Sequence, residues 1–217
     1  MNKDRLIKYI PIALLCIPII TSCSNKVDKD IVIIYTNDVH CAIDNNIGYA
    51  GLASYVKQVK ANNEYVTLVD NGDFLQGNTI GALSKGKYLV DLMNACKYDL
   101  ATFGNNDFVY GMDYLINDLK SANFKMVCSN LTYDGEKQEN LSKYYSPYQI
   151  INYGNKKVGY IGITTPLSYI LSKKEIFMEE DKLVYNFIGM EDEEEYCFCG
   201  SSVAVVRGSV LIKVIGL

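Results

Sequence analysis

The stretch 31-IVIIYTNDVH-40 contains both the main structural signal and the main chemical signal of the chain. Its first six residues form a continuous apolar, β-branched run, which is typical of a strand buried on both faces of a sheet. Asn37, Asp38 and His40 follow directly, so polar side chains begin where the strand ends. We therefore expect a parallel strand that places functional groups beyond its carboxyl end.

Similar runs recur downstream and predict an α/β fold. Further strands are predicted at residues 65–69, 99–103 and 125–128, and apolar residues at helical spacing occur at 52–59, 89–96 and 112–119. Strands that alternate with helices indicate βαβ units and a mostly parallel sheet covered on both faces. Residues 148–151 and 157–163 flank a Tyr-Gly-Asn-Lys turn and predict a hairpin.

Composition limits the possible partners. The chain is 49% hydrophobic and 21% charged, which is the balance of a globular domain. Its formal net charge of −4 argues against a basic face for nucleic acid, so no nucleic-acid polymer is predicted as a partner. The seven cysteines show no framework spacing and predict no disulfide scaffold.

The first 22 residues have the pattern of an export signal. Lys3, Arg5 and Lys8 precede an apolar run at residues 9–20, and the chain then reads Thr-Ser-Cys23, which resembles the lipobox of bacterial lipoproteins. We expect residues 1–22 to be a lipoprotein signal peptide, Cys23 to be acylated, and residues 23–30 to form a tether. This predicts an exported protein that is lipid-anchored at the cell membrane or cell surface. A plain secretory signal and an uncleaved anchor remain open.

Three loops after the first three predicted strands carry metal-binding groups. Asp38 and His40 offer one oxygen and one nitrogen to a single ion, and Asp73 could bridge two ions through its two carboxylate oxygens. The side-chain carbonyl of Asn105 would be a neutral ligand to the second ion. This set is typical of a two-metal site that activates water against a phosphoester.

These loops also carry a family resemblance. The motifs Tyr35-Thr-Asn-Asp-Val-His40, Val69-Asp-Asn-Gly-Asp-Phe-Leu-Gln-Gly77 and Gly162-Ile-Thr-Thr-Pro166 resemble the calcineurin-like metallophosphoesterases, in particular the bacterial 5'-nucleotidase and 2',3'-cyclic phosphodiesterase branch. The resemblance implies a layered β-sheet core flanked by helices, two divalent ions such as manganese, zinc or cobalt, and conversion of a nucleotide or another phosphoester to alcohol and phosphate. The resemblance runs from about Asp30 to about Phe187, and it predicts a partial domain at residues 31–189 whose C-terminal part is incomplete.

Two departures from the family affect the expected activity. Asn106 and Val109 occupy the positions of the family's catalytic histidine and its aspartate partner, so no catalytic residue is assigned. The family also takes metal ligands from downstream histidines, whereas His40 is the single histidine here, so we expect one ion or none. Asp107 could substitute as a carboxylate, or it could cap the helix that follows.

Residues 190–217 change in character and have two interpretations. Their two apolar runs could be strands around Arg207-Gly208 that form an edge hairpin closing the sheet, or the coding frame could shift near Gly189. Two functions also stay open. One is an impaired 5'-nucleotidase with little or no turnover. The other is a non-catalytic lipoprotein, or the truncated product of a pseudogene, that binds metal or nucleotide weakly. No glycine-rich phosphate fingerprint follows any strand, which argues against a dinucleotide-binding protein.

Overall fold

The computed structural model describes residues 29–133, 140–165 and 167–172, together with the backbone of the later strands at 176–178, 194–199, 202–207 and 212–216. The predicted signal peptide, Cys23 and most of the predicted tether lie outside these residues. Among the described helices, none is long and apolar enough to cross a membrane.

A six-stranded parallel sheet forms the centre of the molecule. Its strands, numbered in chain order, are β1 (Ile31–Thr36), β2 (Tyr65–Asp70), β3 (Leu100–Ala101), β4 (Lys125–Val127), β6 (Tyr145–Ser146) and β12 (Ile212–Gly216), in the order β12-β1-β2-β3-β4-β6. Pairing between β1 and β2 is continuous, from Ile31 opposite Tyr65 to Thr36 opposite Asp70. The two strands therefore end level with each other, and the loops that follow them begin side by side.

Helices cover one face of this sheet. They are α1 (Gly48–Asn62), α2 (Thr79–Ser84), α3 (Lys87–Cys96), α4 (Met112–Leu119) and α5 (Leu167–Leu171). Val32 and Ile34 of β1 belong to the same buried cluster as Leu52 of α1 and Met93 of α3. The short α2 was not predicted, because six residues are too few to show a helical period.

A second sheet covers the other face. It consists of β7 (Tyr148–Tyr153), β8 (Lys156–Gly162), β10 (Glu194–Cys199) and β11 (Ser202–Arg207), all antiparallel and in the order β10-β11-β8-β7. Ile31 and Ile33 of β1 pack in one cluster with Val158 and Tyr160 of β8. Alternate residues of β1 thus point into opposite layers, which is why its whole run is apolar. A small third sheet pairs β5 (Leu131–Tyr133) with β9 (Ile176–Met178).

Most of the expected architecture is confirmed. The α/β class, the parallel sheet covered on both faces and the hairpin of β7 and β8 are all present. The third strand is shorter than the predicted 99–103: pairing ends at Ala101, and Phe103 and Gly104 lie against Gly72 in the loop after β2. Among the described residues, Cys41, Cys96 and Cys128 are buried free thiols.

The predicted hairpin around Arg207-Gly208 is wrong. The two apolar runs do form strands, but β11 pairs with β10 and β8, whereas β12 pairs in parallel with β1. Each run therefore joins a different sheet. Without these two strands, β1 and β8 would each have one edge of unpaired N–H and C=O groups, and each of those edges takes one strand. The frameshift interpretation stays a hypothesis, because backbone pairing does not report the origin of a reading frame.

Candidate metal centre

The loops after β1, β2 and β3 meet at the carboxyl edge of the parallel sheet. Backbone hydrogen bonds join the first two loops: the N–H of Asp38 donates to the carbonyl of Gly72 at 3.2 Å, and the N–H of His40 donates to the carbonyl of Asp73 at 2.9 Å. The first loop therefore runs alongside the second, and its polar side chains are held next to Asp73.

Asp38, His40 and Asp73 form one cluster of possible metal ligands. One ligand atom from each lies within 4.8 Å of the others, with Asp38 exposed, His40 half-buried and Asp73 buried. The Nε2 atom of His40 is 3.7 Å from a carboxylate oxygen of Asp38. Two carboxylates and one imidazole are a donor set that suits zinc, manganese and similar divalent ions. The residues present therefore fit one divalent ion.

The tautomer of His40 follows from its hydrogen bond. Its Nδ1 atom lies 3.0 Å from the backbone carbonyl of Gln76, in the same loop as Asp73. A carbonyl oxygen only accepts, so Nδ1 carries a proton, and in the neutral ring Nε2 is the nitrogen with the free lone pair. Metal-binding histidines are commonly oriented by such a bond on the nitrogen that does not bind the metal.

The ligand-bearing loops adopt unusual backbone conformations. Asp38, His40 and Asp73 have φ angles of 53°, 46° and 60°, in the left-handed region that non-glycine residues seldom occupy. Such conformations concentrate at functional sites, where the surrounding structure maintains them. Here the surrounding structure is the set of backbone bonds between the loops.

Two glycines allow the loops to approach this closely. A Cβ on Gly77 would lie 1.9 Å from the carbonyl oxygen of His40, and a Cβ on Gly104 would lie 2.1 Å from a carboxylate oxygen of Asp73. Only glycine leaves room at either position. The ligands are therefore positioned by direct contact between backbones.

Asp107 ties the second loop to the third. Its buried carboxylate accepts hydrogen bonds from the backbone N–H groups of Asp73, Phe74, Leu75 and Gly104, at 2.9–3.0 Å. Burial raises the pKa of Asp107 to about 7, while these donors pull it down. Both sequence interpretations of Asp107 are wrong. The helix α4 begins at Met112 with no side-chain cap, and backbone donors fill both carboxylate oxygens, which leaves none for a substrate.

Asn106 binds the carboxylate of Asp73 directly. Its backbone N–H donates to one oxygen at 2.7 Å, and its side-chain amide donates to the other at 3.1 Å. Asn106, which was expected at the family's histidine position, therefore orients Asp73. Asn105 is half-buried just before the short 3-10 helix Asn106–Phe108, and its role as a metal ligand stays a prediction. Val109 follows that helix and is 39% exposed.

A buried polar network lies behind the first two loops. The hydroxyl of Thr36 donates to Asp70 at 2.5 Å, Tyr98 lies 2.7 Å from the same hydroxyl, and the N–H of Gly72 donates to the other oxygen of Asp70 at 2.9 Å. Since Thr36 donates to Asp70, Tyr98 donates to Thr36. Burial raises the pKa of Asp70 to about 8, against these hydrogen bonds. Sequence reasoning missed this network. A carboxylate at the end of an apolar strand was the available signal.

Comparison with known proteins is consistent with this site. The family model described as "Calcineurin-like phosphoesterase" matches residues 31–196. The chain is 34% identical to a snake venom 5'-nucleotidase of Gloydius brevicauda over 164 residues, which is 69% of the chain and 28% of that protein. It is 30% identical to a 2',3'-cyclic-nucleotide 2'-phosphodiesterase/3'-nucleotidase of Haemophilus influenzae over 205 residues, 81% of the chain and 31% of that protein.

A solved structure shares the fold. The crystal structure of the calcineurin-like phosphoesterase YfkN from Bacillus subtilis matches with a TM-score of 0.56 and 29% identity, over 70% of this chain and 54% of that one. The chain spans less than a third of the length of the two curated relatives above. With a family match that covers well over half of its residues, the chain belongs to the calcineurin-like phosphoesterase family.

Proposed function

We propose that this protein is a metal-dependent phosphoester hydrolase of the 5'-nucleotidase type, which converts a nucleotide to a nucleoside and phosphate with low turnover. The observation that carries the proposal is the convergence of Asp38, His40 and Asp73 within 4.8 Å at the carboxyl edge of the parallel sheet. The printed names of two relatives, a 5'-nucleotidase and a cyclic-nucleotide phosphodiesterase/3'-nucleotidase, support a nucleotide as the substrate.

Each of the three residues has a defined task in this proposal. Asp38, His40 and Asp73 would hold a divalent ion such as manganese, zinc or cobalt. Such an ion, when bound, supplies a Lewis acid for a phosphoryl oxygen and lowers the pKa of a water molecule. The carbonyl of Gln76 orients the His40 ring and selects the tautomer that carries its proton on Nδ1, and Asn106 fixes the direction of the Asp73 carboxylate.

Two features reduce the expected rate. The amide of Asn106 has no proton that titrates near neutral pH, and Val109 cannot orient a base, so the site lacks a general acid. General acid–base catalysis typically contributes roughly 10²–10⁴ to a rate. Asn106 also donates to both oxygens of Asp73, which opposes the sharing of that carboxylate between two ions. We therefore expect one ion per chain.

The same bonds from Asn106 favour a second candidate function, a non-catalytic member of the family that binds a metal ion or a nucleotide. The two functions share the metal centre and differ in turnover. Export and a lipid anchor at Cys23 are part of either proposal. They are supported by the basic residues, apolar run and lipobox at residues 1–23. Mass spectrometry of the mature N-terminus tests the anchor.

The experiment combines metal binding with phosphate release. The full chain and its His40→Ala variant would be assayed with AMP and an aryl phosphodiester in the presence of manganese, zinc or cobalt, and bound metal would be counted by equilibrium dialysis. We expect about one ion per chain and slow, metal-dependent phosphate release, both lost in the variant. One bound ion with no phosphate release would select the non-catalytic function. Metal binding unaffected by His40→Ala would contradict both.

Restoring the missing histidine alone should not restore activity. We expect the rate of Asn106→His to stay within about tenfold of the parent rate. Val109 still cannot orient the imidazole, and the hydrogen bond from the Asn106 side-chain amide to Asp73 is lost. Phosphate release from AMP at saturating metal measures the rate. The control is Asn106→Ala, which removes the side-chain hydrogen bond to Asp73 without adding a base. Robust turnover by Asn106→His would show that a general acid is the one part missing.

A further inference from the structure

The outer face of the second sheet, which is turned away from the parallel sheet, is open at β7 and β8. Val158 of β8 is buried against the parallel sheet, and strand residues alternate between faces, so Gly159 and Ile161 belong to the outer face. A Cβ added to Gly159 would meet no atom within 4 Å. Tyr148 and Ile150, on the same face of β7, are 58% and 48% exposed. Solvent therefore reaches this face at apolar positions.

Strand pairing arranges the outer face in rows that cross all four strands. Residues that pair across antiparallel strands share a face, and each row contains one residue from each strand. The first row consists of Tyr148, Ile161, Val203 and Phe198. The second row consists of Ile150, Gly159, Val205 and Tyr196. The third row consists of Asn152, Lys157, Arg207 and Glu194. Two adjacent rows are thus apolar, and the third is polar.

This pattern differs from that of a sheet with one solvated face. Such a sheet alternates apolar residues towards the core with polar residues towards water. In β8 the inward Val158 and Tyr160 are buried, yet the outward Ile161 between Tyr160 and the end of the strand is apolar as well. In β7 the outward positions begin with Tyr148 and Ile150. The sequence of these strands is therefore that of a sheet covered on both faces.

The face has the size of a small protein interface. The sheet has four strands of six or seven residues. With strands about 4.8 Å apart and residues about 3.3 Å apart along a strand, the face measures about 19 by 20 Å, a flat area of about 400 Å². Side chains stand above the sheet plane, so two packed copies would bury about 800–1,200 Å² of accessible surface in total. That area is typical of reversible rather than obligate association.

The two apolar rows are complementary to each other under a two-fold axis. An axis between the rows, in the plane of the interface and across the strands, places the first row of one copy over the second row of the other. The position of Ile161 then lies over Gly159 of the second copy, and Tyr148 lies over Ile150. A large residue opposite a glycine lets the two layers interdigitate. The strands of the two sheets stay aligned, as in β-sandwiches, and the polar third row falls at the rim.

We propose that the outer face of the second sheet is the interface of a reversible homodimer, formed by the two apolar rows of each copy around this two-fold axis. A second copy fits the face because the rows match each other in shape and because the area suffices for micromolar association. The proposal is independent of the hydrolase proposal, since the metal centre lies at the carboxyl edge of the parallel sheet and outside this face.

Sedimentation equilibrium of the full chain tests the dimer. Over about 1–200 µM we expect a monomer–dimer equilibrium with a Kd in the micromolar range. Ile150→Lys places a charge in the apolar interface and should weaken the dimer at least about tenfold. The matched control is Leu83→Lys, at a 79% exposed leucine of α2 outside the face, which should dimerise as the parent does. Circular dichroism checks that each variant is folded.

A second pair of variants tests the two-fold arrangement. Gly159→Ile has room within one copy but would meet Ile161 of the second copy, so it should weaken the dimer. The double variant Gly159→Ile/Ile161→Gly exchanges the two positions, keeps a large residue opposite a glycine, and should restore the parent Kd.

Three results would overturn the proposal. They are a monomer at every concentration, a dimer that Ile150→Lys leaves unchanged, and a dimer that Gly159→Ile leaves unchanged. A chain that stays monomeric but loses binding to phosphatidylcholine vesicles on Ile150→Lys would assign the face to a lipid surface instead.

Discussion

Asp107 provides no metal ligand, yet it joins two of the three loops that carry the ligands. One carboxylate oxygen accepts from Phe74 and Leu75, and the other accepts from Asp73 and Gly104. A buried carboxylate with this many N–H donors acts as a connector between loop backbones. The loss of one oxygen would leave at least two buried N–H groups without an acceptor.

Asp107→Asn should therefore destabilise the fold at pH 8, where the carboxylate form predominates. Each N–H left unsatisfied costs roughly 1–3 kcal/mol, so for two such groups we expect a loss of about 2–6 kcal/mol in the free energy of unfolding. Urea denaturation monitored by circular dichroism measures it, with Asp44→Asn, at an exposed loop position, as the control. A loss below about 0.5 kcal/mol, the usual range for surface changes, would show that the carboxylate does not hold the loops.

At the level of residues, the sequence predicted which side chains meet but not what fixes them. Asp38, His40 and Asp73 could be found because each follows a strand of a parallel sheet, and strand ends share one edge. The roles of Asn106 and Asp107 were missed, because their partners are backbone N–H groups and a neighbouring carboxylate. Sequence patterns contain no information on the direction of backbone N–H groups in irregular loops.

Among the elements, α4 carries a buried acid with no role in the metal centre. Asp118 is 2% exposed and lies against the start of α3, where a Cβ on Gly86 would be 2.8 Å from its carboxylate. One of its oxygens has no hydrogen-bond partner among the described residues. Burial raises the pKa of Asp118 to about 7, Lys87 lowers it and Asp91 raises it. The folded protein therefore favours the neutral acid.

The stability of the parent chain should fall as pH rises from about 4 to about 7. In the unfolded chain the carboxyl ionises near its ordinary pKa of about 3.9, whereas in the folded chain it keeps its proton to about pH 7. The stabilising contribution is thus complete below pH 4 and is lost as pH passes through 7. Asp70 and Asp107 also have raised pKa values and contribute a slope of the same sign, so Asp118→Asn should reduce the slope and gain about 1–2 kcal/mol on the parent between pH 5 and pH 8.

Urea melts at pH 5 and pH 8 provide the measurement. The control is Asp44→Asn, at an exposed loop position, and it should follow the parent at both pH values. Parallel pH profiles for the parent and Asp118→Asn would contradict the assignment of a buried neutral acid.

Element boundaries were predictable where the apolar run is long. The six-residue strands β1 and β2 match their predicted positions closely, because each is buried on both faces. The two-residue β3 was overestimated, because Thr102 and Phe103 are as buried as a strand but lie in the loop that approaches Asp73. After Ala101 the chain stays buried but is no longer part of a strand, and an apolar sequence pattern indicates only burial.

For the whole molecule, the layered order of helices, parallel sheet and antiparallel sheet followed only in part from the sequence. The alternation of strands and helices predicted the parallel sheet and its cover. The destinations of β11 and β12 could not be predicted, because both are short apolar runs that fit either of two free sheet edges. Which edge each strand joins depends on how far that edge lies from the preceding element in the folded molecule, and the sequence pattern does not give this distance.

Metal binding should stabilise the folded molecule as a whole. A ligand at 100 times its dissociation constant adds about 2.7 kcal/mol, and for a chain of this size each kcal/mol raises Tm by about 2–4 °C. We therefore expect manganese, zinc or cobalt to raise Tm by about 5–10 °C, and EDTA to reverse the rise. Differential scanning fluorimetry measures it. His40→Ala should show no rise, and an equal rise in that variant would place the ion elsewhere.

The bonds that join the three loops have a further consequence for the way in which an ion binds. Conformational entropy at this edge of the sheet is lost while the polypeptide folds, since Asp107 and the paired backbones order the loops without an ion. The centre is preorganised. Its amides should already resist hydrogen exchange in the apo form, and association should proceed in one kinetic phase with no slow rearrangement behind it.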